Sequence, residues 1–199
     1  MQTPYVKKNF LSVFGQTCQV LVKWPGIDVA EFRSNTSDLT LSSCQQKMFK
    51  VLVPIPNLKI KHKNFQLVLE LAKKCIDFPI LFIVTANFKD APNYPFNNLV
   101  FAGVKNREDY LGLLGQVDAT IVTSTTETVG LPIFESLVYQ KCCFVFKQDY
   151  FNGIKDLFGD LEGVLEFSDA NDFINAYQLA VNSSFNFNGT PFIKGDWDF

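Results

Sequence analysis

The sequence predicts an α/β domain, a doubly wound parallel sheet with helices on both faces. Three observations lead there. Apolar segments of strand length alternate with segments of helical periodicity along most of the chain. The connections between them are short, as in repeated strand–helix–strand units. The run ILFIV within ILFIVTA, residues 80–86, is continuously apolar, the pattern of a strand buried on both faces of a parallel sheet. A chain of 199 residues can bury a substantial core. Residues 1–182 are expected to form one domain, and residues 183–199 a polar tail, because the periodicity dissolves into NSSFNFNGTPF.

Each element has its own warrant. Thr3 can cap a first helix with Pro4 at its first position, and Gly15 follows its end. CQVLVKW reads as the first strand, and residues 34–46, rich in Ser, Thr, Asn and Gln, as a surface loop. MFKVLVPI is the next strand, followed by the basic loop PNLKIKHKN. Phe65, Val68, Leu69 and Ala72 recur at helical spacing, which predicts a helix over residues 64–75. ILFIVTA follows, then a loop rich in Pro and Asn, the strand LVFAG, and a helix over about residues 107–114. ATIVTS is a strand, and a helix runs from Gly130 to about Gln140. CCFVF, a short helix ending before Gly159, the strand GVLEF and a helix marked by Phe173, Ile174 and Tyr177 complete the pattern.

Composition narrows the function classes. Net charge is −2 and the 18 basic residues are scattered, which argues against capture of nucleic acid. The 21 phenylalanines are expected in the core, where aromatics contribute most. Cys18, Cys44, Cys75, Cys142 and Cys143 show no metal-ligand spacing, and the adjacent pair sits in an apolar run, where a free thiol packs as a small hydrophobe. This usage fits a reducing compartment. The N-terminus MQTPYVKKNF lacks the apolar stretch of a signal peptide, and no apolar run approaches the ~18 residues that span a bilayer. The expectation is a cytoplasmic chain, at most peripheral to the inner face of a membrane. His62 is the only histidine, which excludes multi-histidine metal sites. No G-x-G-x-x-G follows a strand and no G-x-x-x-x-G-K-[ST] occurs, so a dinucleotide dehydrogenase and a P-loop enzyme are disfavoured. Asp196-Trp197-Asp198 follows a polar stretch near the chain end, out of context for a metal clamp.

Ligands of doubly wound sheets bind outside the carboxyl ends of strands, where strand order switches. The loops after Val53, Ala102 and Thr123 therefore matter most. The last of them holds ETVGLPIFE, with Glu127 in the loop and Glu135 in the helix that follows. Gly130 lets backbone approach a phosphate closely, and the N–H groups of Gly130 and Leu131 at a helix N-terminus suit a diphosphate. Glu135 can accept hydrogen bonds from ribose hydroxyls, and Glu127 from those of a sugar ring. Either acid alone is an ordinary loop residue or an answer to the helix dipole. Together, around Gly130-Leu131-Pro132 after a buried strand, they point to a nucleotide-sugar site.

The stretch TSTTETVGLPIFESLVYQKC resembles the donor-site motif of the GT-B retaining glycosyltransferases of the glycosyltransferase group 1 family, with its glutamate, Gly-x-Gly-Leu-Pro and second glutamate. KWPGIDVAEF, IKHKNFQLVLEL and NLVFAGVKNREDYLGLLGQVDATIVTS resemble further family stretches in the same order, so the similarity covers about residues 3–182. It implies a Rossmann-like doubly wound parallel sheet, one half of a GT-B fold. It also implies catalytic roles for Glu127, on the donor-sugar hydroxyls, and Lys63, whose charge neutralises the leaving group. Glu135 would take the ribose. The backbone of Gly130 and Leu131 would hold the diphosphate, Thr128, Val129 and Asn64 would also belong to the donor-binding set, and Val104 and Lys105 would flank the base.

Thr128 replaces the first glycine of the motif, and Asn57 stands near the place of the family's diphosphate arginine, which implies a weakened or rebuilt clamp. The resemblance implies a UDP- or GDP-sugar as substrate, no cofactor and no metal. It implies an N-terminal GT-B half, in the full protein or on a partner chain, carrying the acceptor, and hence little transfer by this chain alone. The alternative is a non-catalytic nucleotide-sugar-binding subunit that completes a split transferase.

Overall fold

The structure, a computed structural model, describes residues 7–9, 11–12, 41–87, 89, 96–183 and 185. The strand expected at CQVLVKW, the capping role of Thr3 and Gly15, and nearly all of the polar tail lie outside them; residues 7–9 and 11–12 are helical, as expected.

Among the described residues six strands form one sheet: β1 (Phe49–Val53), β2 (Ile80–Val84), β3 (Leu99–Phe101), β4 (Ala119–Val122), β5 (Cys142–Phe146) and β6 (Val164–Phe167). Their order is β3-β2-β1-β4-β5-β6, and every neighbouring pair is parallel. The chain moves outward from β1 to β3, returns to place β4 beside β1, and moves outward again on the other side. Between β1 and β4 strand order reverses, with Val51 opposite Ala119 and Leu52 opposite Thr120.

Among the described residues five helices cover the sheet: α1 (Phe65–Lys74), α2 (Arg107–Gln116), α3 (Leu131–Val138), α4 (Asp149–Phe158) and α5 (Ala170–Asn182). Alternate strand residues serve opposite faces, which explains the unbroken apolar runs. Val51, Val53, Ile80, Phe82, Val84, Ile121 and Phe144 pack with Val68 and Leu71 of α1 and Phe173 and Tyr177 of α5. On the other face Leu52, Leu81 and Ile83 meet Leu111 and Leu114 of α2. Val122, Cys143 and Val145 meet Ile133 and Phe134 of α3 and Tyr150 and Ile154 of α4.

Phenylalanines do concentrate in this core. Phe173 is fully buried, with its ring 5.0 Å from Phe144, 5.3 Å from Phe167 and 5.9 Å from Phe82, centroid to centroid. Polar caps set the helix starts: Asn106 accepts from the Asp109 amide (2.8 Å), and Asp169 from those of Asn171 (2.8 Å) and Asp172 (3.0 Å). Cys142 and Cys143 point to opposite faces, each as a packed apolar side chain. No helix among the described residues is long and apolar enough to cross a membrane.

Three outcomes follow from this packing. Phe173→Ala removes the ring on which three others converge and is expected to lower stability by about 3–5 kcal/mol in urea unfolding. Burial pushes the thiol of Cys142 up to about 11 and that of Cys75 up to about 12, while Cys44 is exposed. Alkylation of the native protein near neutral pH should therefore label Cys44 well before Cys75, Cys142 or Cys143. Raised thiols are neutral in the fold, so their contribution is complete below the ordinary value of 9.0 and is lost as pH climbs toward 12. The unfolding midpoint should fall across that window.

Candidate functional site

The reversal of strand order places two loops side by side at the carboxyl ends of β1 and β4. After β1 the chain passes Pro54 and Pro56 and makes a 3₁₀ turn over Lys61–Lys63. Asn64 then adopts the left-handed conformation (φ 52°, ψ 51°) that turns the chain into α1. Asparagine tolerates this region better than most residues. The loop after β4 is stitched to this turn. The Thr123 hydroxyl donates to the Lys63 carbonyl (2.8 Å), and the Thr125 amide to the His62 carbonyl (2.8 Å).

This stitching brings Lys63 and Glu127 together. The Lys63 ammonium donates to Glu127 Oε1 at 2.5 Å, and the Ser124 hydroxyl donates to the same oxygen at 2.6 Å. The Glu127 side chain is 14% exposed and that of Lys63 21%, so the pair is screened less than a surface ion pair but remains open at the mouth. Below it lies Tyr150, in the first turn of α4, packed with Val129. Its hydroxyl is buried without a hydrogen-bond partner among the described residues; burial first, and then the Glu127 charge, push the phenol up.

The start of α3 is shaped by Gly130, which sits at φ 70°, ψ 40°. A Cβ there would meet Ile133 Cδ1 at 3.1 Å and Ile154 Cδ1 at 3.2 Å, so both conformation and space call for glycine. No side chain caps this helix. Pro132 carries no N–H, and the Ile133 amide turns back to the Gly130 carbonyl (2.9 Å). The amides of Gly130 and Leu131 lie at this helix start, at the positive end of the helix dipole. Thr128 is exposed on this loop. Val129 is 5% exposed and packs inward, so it can offer a ligand only its backbone.

Glu135 behaves differently from the open carboxylate expected at the mouth. It is 2% exposed, and its Oε1 is held by the guanidinium of Arg107, at the first position of α2. A carboxylate this deep needs a partner, and Arg107 supplies it while keeping 46% of its own side chain exposed. The two acids of the motif therefore belong to two clusters, Glu127 with Lys63 and Ser124, and Glu135 with Arg107. Beside the second lies a cavity of about 250 Å³ lined by Pro54, Pro56, Thr85, Lys105, Asn106, Arg107 and Tyr110. Lys105 is on its wall, whereas Val104 is 52% exposed. Asn64 lines a separate cavity of about 410 Å³ with Lys59 and Lys61.

Arg107, Tyr110, Ser124 and Tyr150 are site residues that sequence reasoning did not single out. The Asn106–Asp109 cap was the available signal for the first two, since it starts α2 and sets Arg107 and Tyr110 on one face, three residues apart. Among the described residues no three His, Cys, Asp or Glu side chains gather in a way that could hold a metal ion.

No protein-family model matches the sequence, and no curated protein matches it. Solved structures match the fold. HepE from Anabaena, in complex with UDP and glucose, superposes with a TM-score of 0.65 at 16% identity, over 92% of this chain and 53% of its own. Staphylococcus aureus TarM, as a mutant in complex with UDP among other ligands, gives 0.63 at 16% identity, over 91% and 36%. WaaG, a glycosyltransferase involved in lipopolysaccharide biosynthesis, gives 0.57 at 13%, over 92% and 58%. These neighbours are GT-B glycosyltransferases. The chain spans between 36% and 58% of their lengths and has the Rossmann-like fold of one half of such a protein.

The Arg107–Glu135 contact yields a stability test. Arg107→Ala leaves a buried carboxylate without its cation and is expected to lower stability by about 1–3 kcal/mol in urea unfolding. Adding Glu135→Gln to that variant should restore part of the loss.

Proposed function

We propose that this chain binds a nucleoside diphosphate sugar, with uridine or guanosine as its base, and forms the donor half of a retaining glycosyltransferase acting on a saccharide or lipid-linked acceptor. The observation that carries this reading is the meeting of Lys63, Glu127 and the Gly130 helix start at one switch point, with a cavity of about 250 Å³ beside Arg107 of the second cluster. Likeness of fold to HepE, solved with UDP and glucose, supports it.

In this reading the diphosphate lies on the amides of Gly130 and Leu131, with Thr128 and the Val129 backbone along it and Lys63 alongside. Glu127 accepts from donor-sugar hydroxyls. The ribose faces Glu135, and Val104 and Lys105 flank the base, with Lys105 on the cavity wall. The bond from the anomeric carbon to the diphosphate oxygen breaks, and one to an acceptor hydroxyl oxygen forms with the same configuration. The acceptor proton leaves with the diphosphate. Negative charge grows on the leaving oxygen as that bond lengthens, and the fixed ammonium of Lys63 stabilises it without reorganisation. No step calls on a metal, because Lys63 and the helix start carry the neutralisation. The acceptor site belongs to an N-terminal GT-B half, in the same protein or on a partner chain.

Calorimetric titration with UDP, GDP and their sugars, in the presence of a chelator, tests this. Binding to one of the two is expected, and it should weaken by about 1–3 kcal/mol in Lys63→Ala and in Glu127→Ala, the range for losing a charged hydrogen bond. Wild-type chain that binds neither nucleotide would overturn the reading.

A further inference from the structure

The loop that delivers Lys63 to Glu127 also borders a second cavity, to which neither of those residues contributes. Leu58, Ile60, Phe65 and Leu69 give this cavity of about 410 Å³ an apolar wall, and Lys59 and Lys61 give it two cations. Both lysines are exposed, and neither ammonium has an ion-pair partner among the described residues. No carboxylate stands on the wall. A cavity of this size is large enough for a small organic ligand.

The backbone beneath the two lysines is fixed from both sides. Asn57 accepts from the Lys59 amide through its side chain (3.0 Å) and from the Ile60 amide through its carbonyl (3.3 Å). Lys61 opens the 3₁₀ turn whose last two carbonyls, of His62 and Lys63, are held by Thr125 and Thr123. Only side-chain freedom is then lost on binding. Two ammonium groups on one cavity call for an anion of matching charge, and a phosphate monoester carries about −1.5 to −2 near neutral pH. The apolar wall calls for a hydrocarbon group on that phosphate. Phe65 is buried, and Leu58 and Leu69 are packed against the core, so these side chains can cover methylenes without moving.

We propose that this cavity binds a phosphate monoester carried on an apolar group, with Lys59 and Lys61 on the phosphate and Phe65 and Leu69 along the hydrocarbon. The site is separate from the Lys63–Glu127 cluster and does not depend on the nucleotide-sugar reading. A lipid headgroup and a soluble ester share this chemistry, and the experiment separates the two sources.

The test is calorimetry on the full 199-residue chain with hexyl phosphate, hexyl sulfate and inorganic phosphate, and sedimentation with phosphatidylcholine vesicles with and without phosphatidic acid. Wild type should bind hexyl phosphate about tenfold or more tighter than inorganic phosphate, the effect of a few buried methylenes. It should bind hexyl sulfate, which carries a single charge, about threefold or more weakly than hexyl phosphate. The double variant Lys59→Ala, Lys61→Ala should weaken hexyl phosphate about tenfold or more, through loss of two charged contacts. Lys73→Ala, Lys74→Ala, at the far end of α1, should leave it within about twofold, because distant exposed charges are screened. Vesicles with phosphatidic acid that sediment wild type but not the Lys59, Lys61 variant identify a lipid source, and hexyl phosphate binding without sedimentation identifies a soluble one. Absence of hexyl phosphate binding by wild type overturns the site, whatever the vesicles do. Equal losses in the two double variants overturn it as a general charge effect, and equal affinity for hexyl sulfate overturns the choice of a monoester. A matching loss of UDP or GDP affinity in the Lys59, Lys61 variant also overturns it, since both lysines would then belong to the donor site. Wild type that binds hexyl phosphate but neither nucleotide overturns the nucleotide-sugar reading alone and supports this site.

Discussion

The reversal of strand order between β1 and β4 is the constraint from which the site is built. Helices cover both faces of the parallel sheet, so ligand can reach the backbone only at the strand ends. At the carboxyl end the loops leaving β1 and β4 diverge toward opposite faces and open a crevice. Thr123 and Thr125 then tie them back together through the carbonyls of Lys63 and His62. Two hydrogen bonds thus place an ammonium on one loop against a carboxylate on the other. Lys63 and Glu127 are 64 residues apart in sequence and 2.5 Å apart in space.

The two acids of the motif show how environment divides similar residues. Glu127 faces the mouth, and its partners, Lys63 and Ser124, are groups that a ligand could share. Glu135 lies on the inner side of α3, beyond the reach of bulk water, and has Arg107 as a fixed cation. The first arrangement suits charge and hydroxyls that change during a reaction. The second suits a rigid acceptor whose geometry is set before anything binds, since a preorganised group loses little freedom on association. The same fold explains why the buried tyrosines matter. Tyr110, from α2, sets its phenol against the Glu135 carboxylate, and the charge of Glu127 acts on the buried phenol of Tyr150, from α4.

Much of this was legible in the sequence. The apolar runs of β2, β4 and β5, the helical spacing of Phe65, Val68 and Ala72, and Gly130 before Pro132 all read directly as the elements found. Local signals specify local structure: an alternation of period two or 3.6, a cap, a positive-φ glycine. Helix ends shifted by about two residues, as at Gln116 and Val138, because the last turns are settled by packing more than by propensity.

The sequence by itself determined the fold class, the strand and helix inventory over the described residues, and the loop in which Glu127 and Gly130 sit. Resemblance alone suggested separate roles for Lys63 and Glu127, and the structure brings the two side chains together. Tertiary structure alone decided strand order, the separation of the two glutamates into distinct clusters, and the pairing of Glu135 with Arg107 across 28 residues. It also turned Val129 inward and set Tyr110 on a cavity wall. The physical reason is that a residue's type and spacing fix which face of its own element it occupies. What lies opposite that face is fixed by how helices from distant parts of the chain pack on a shared sheet.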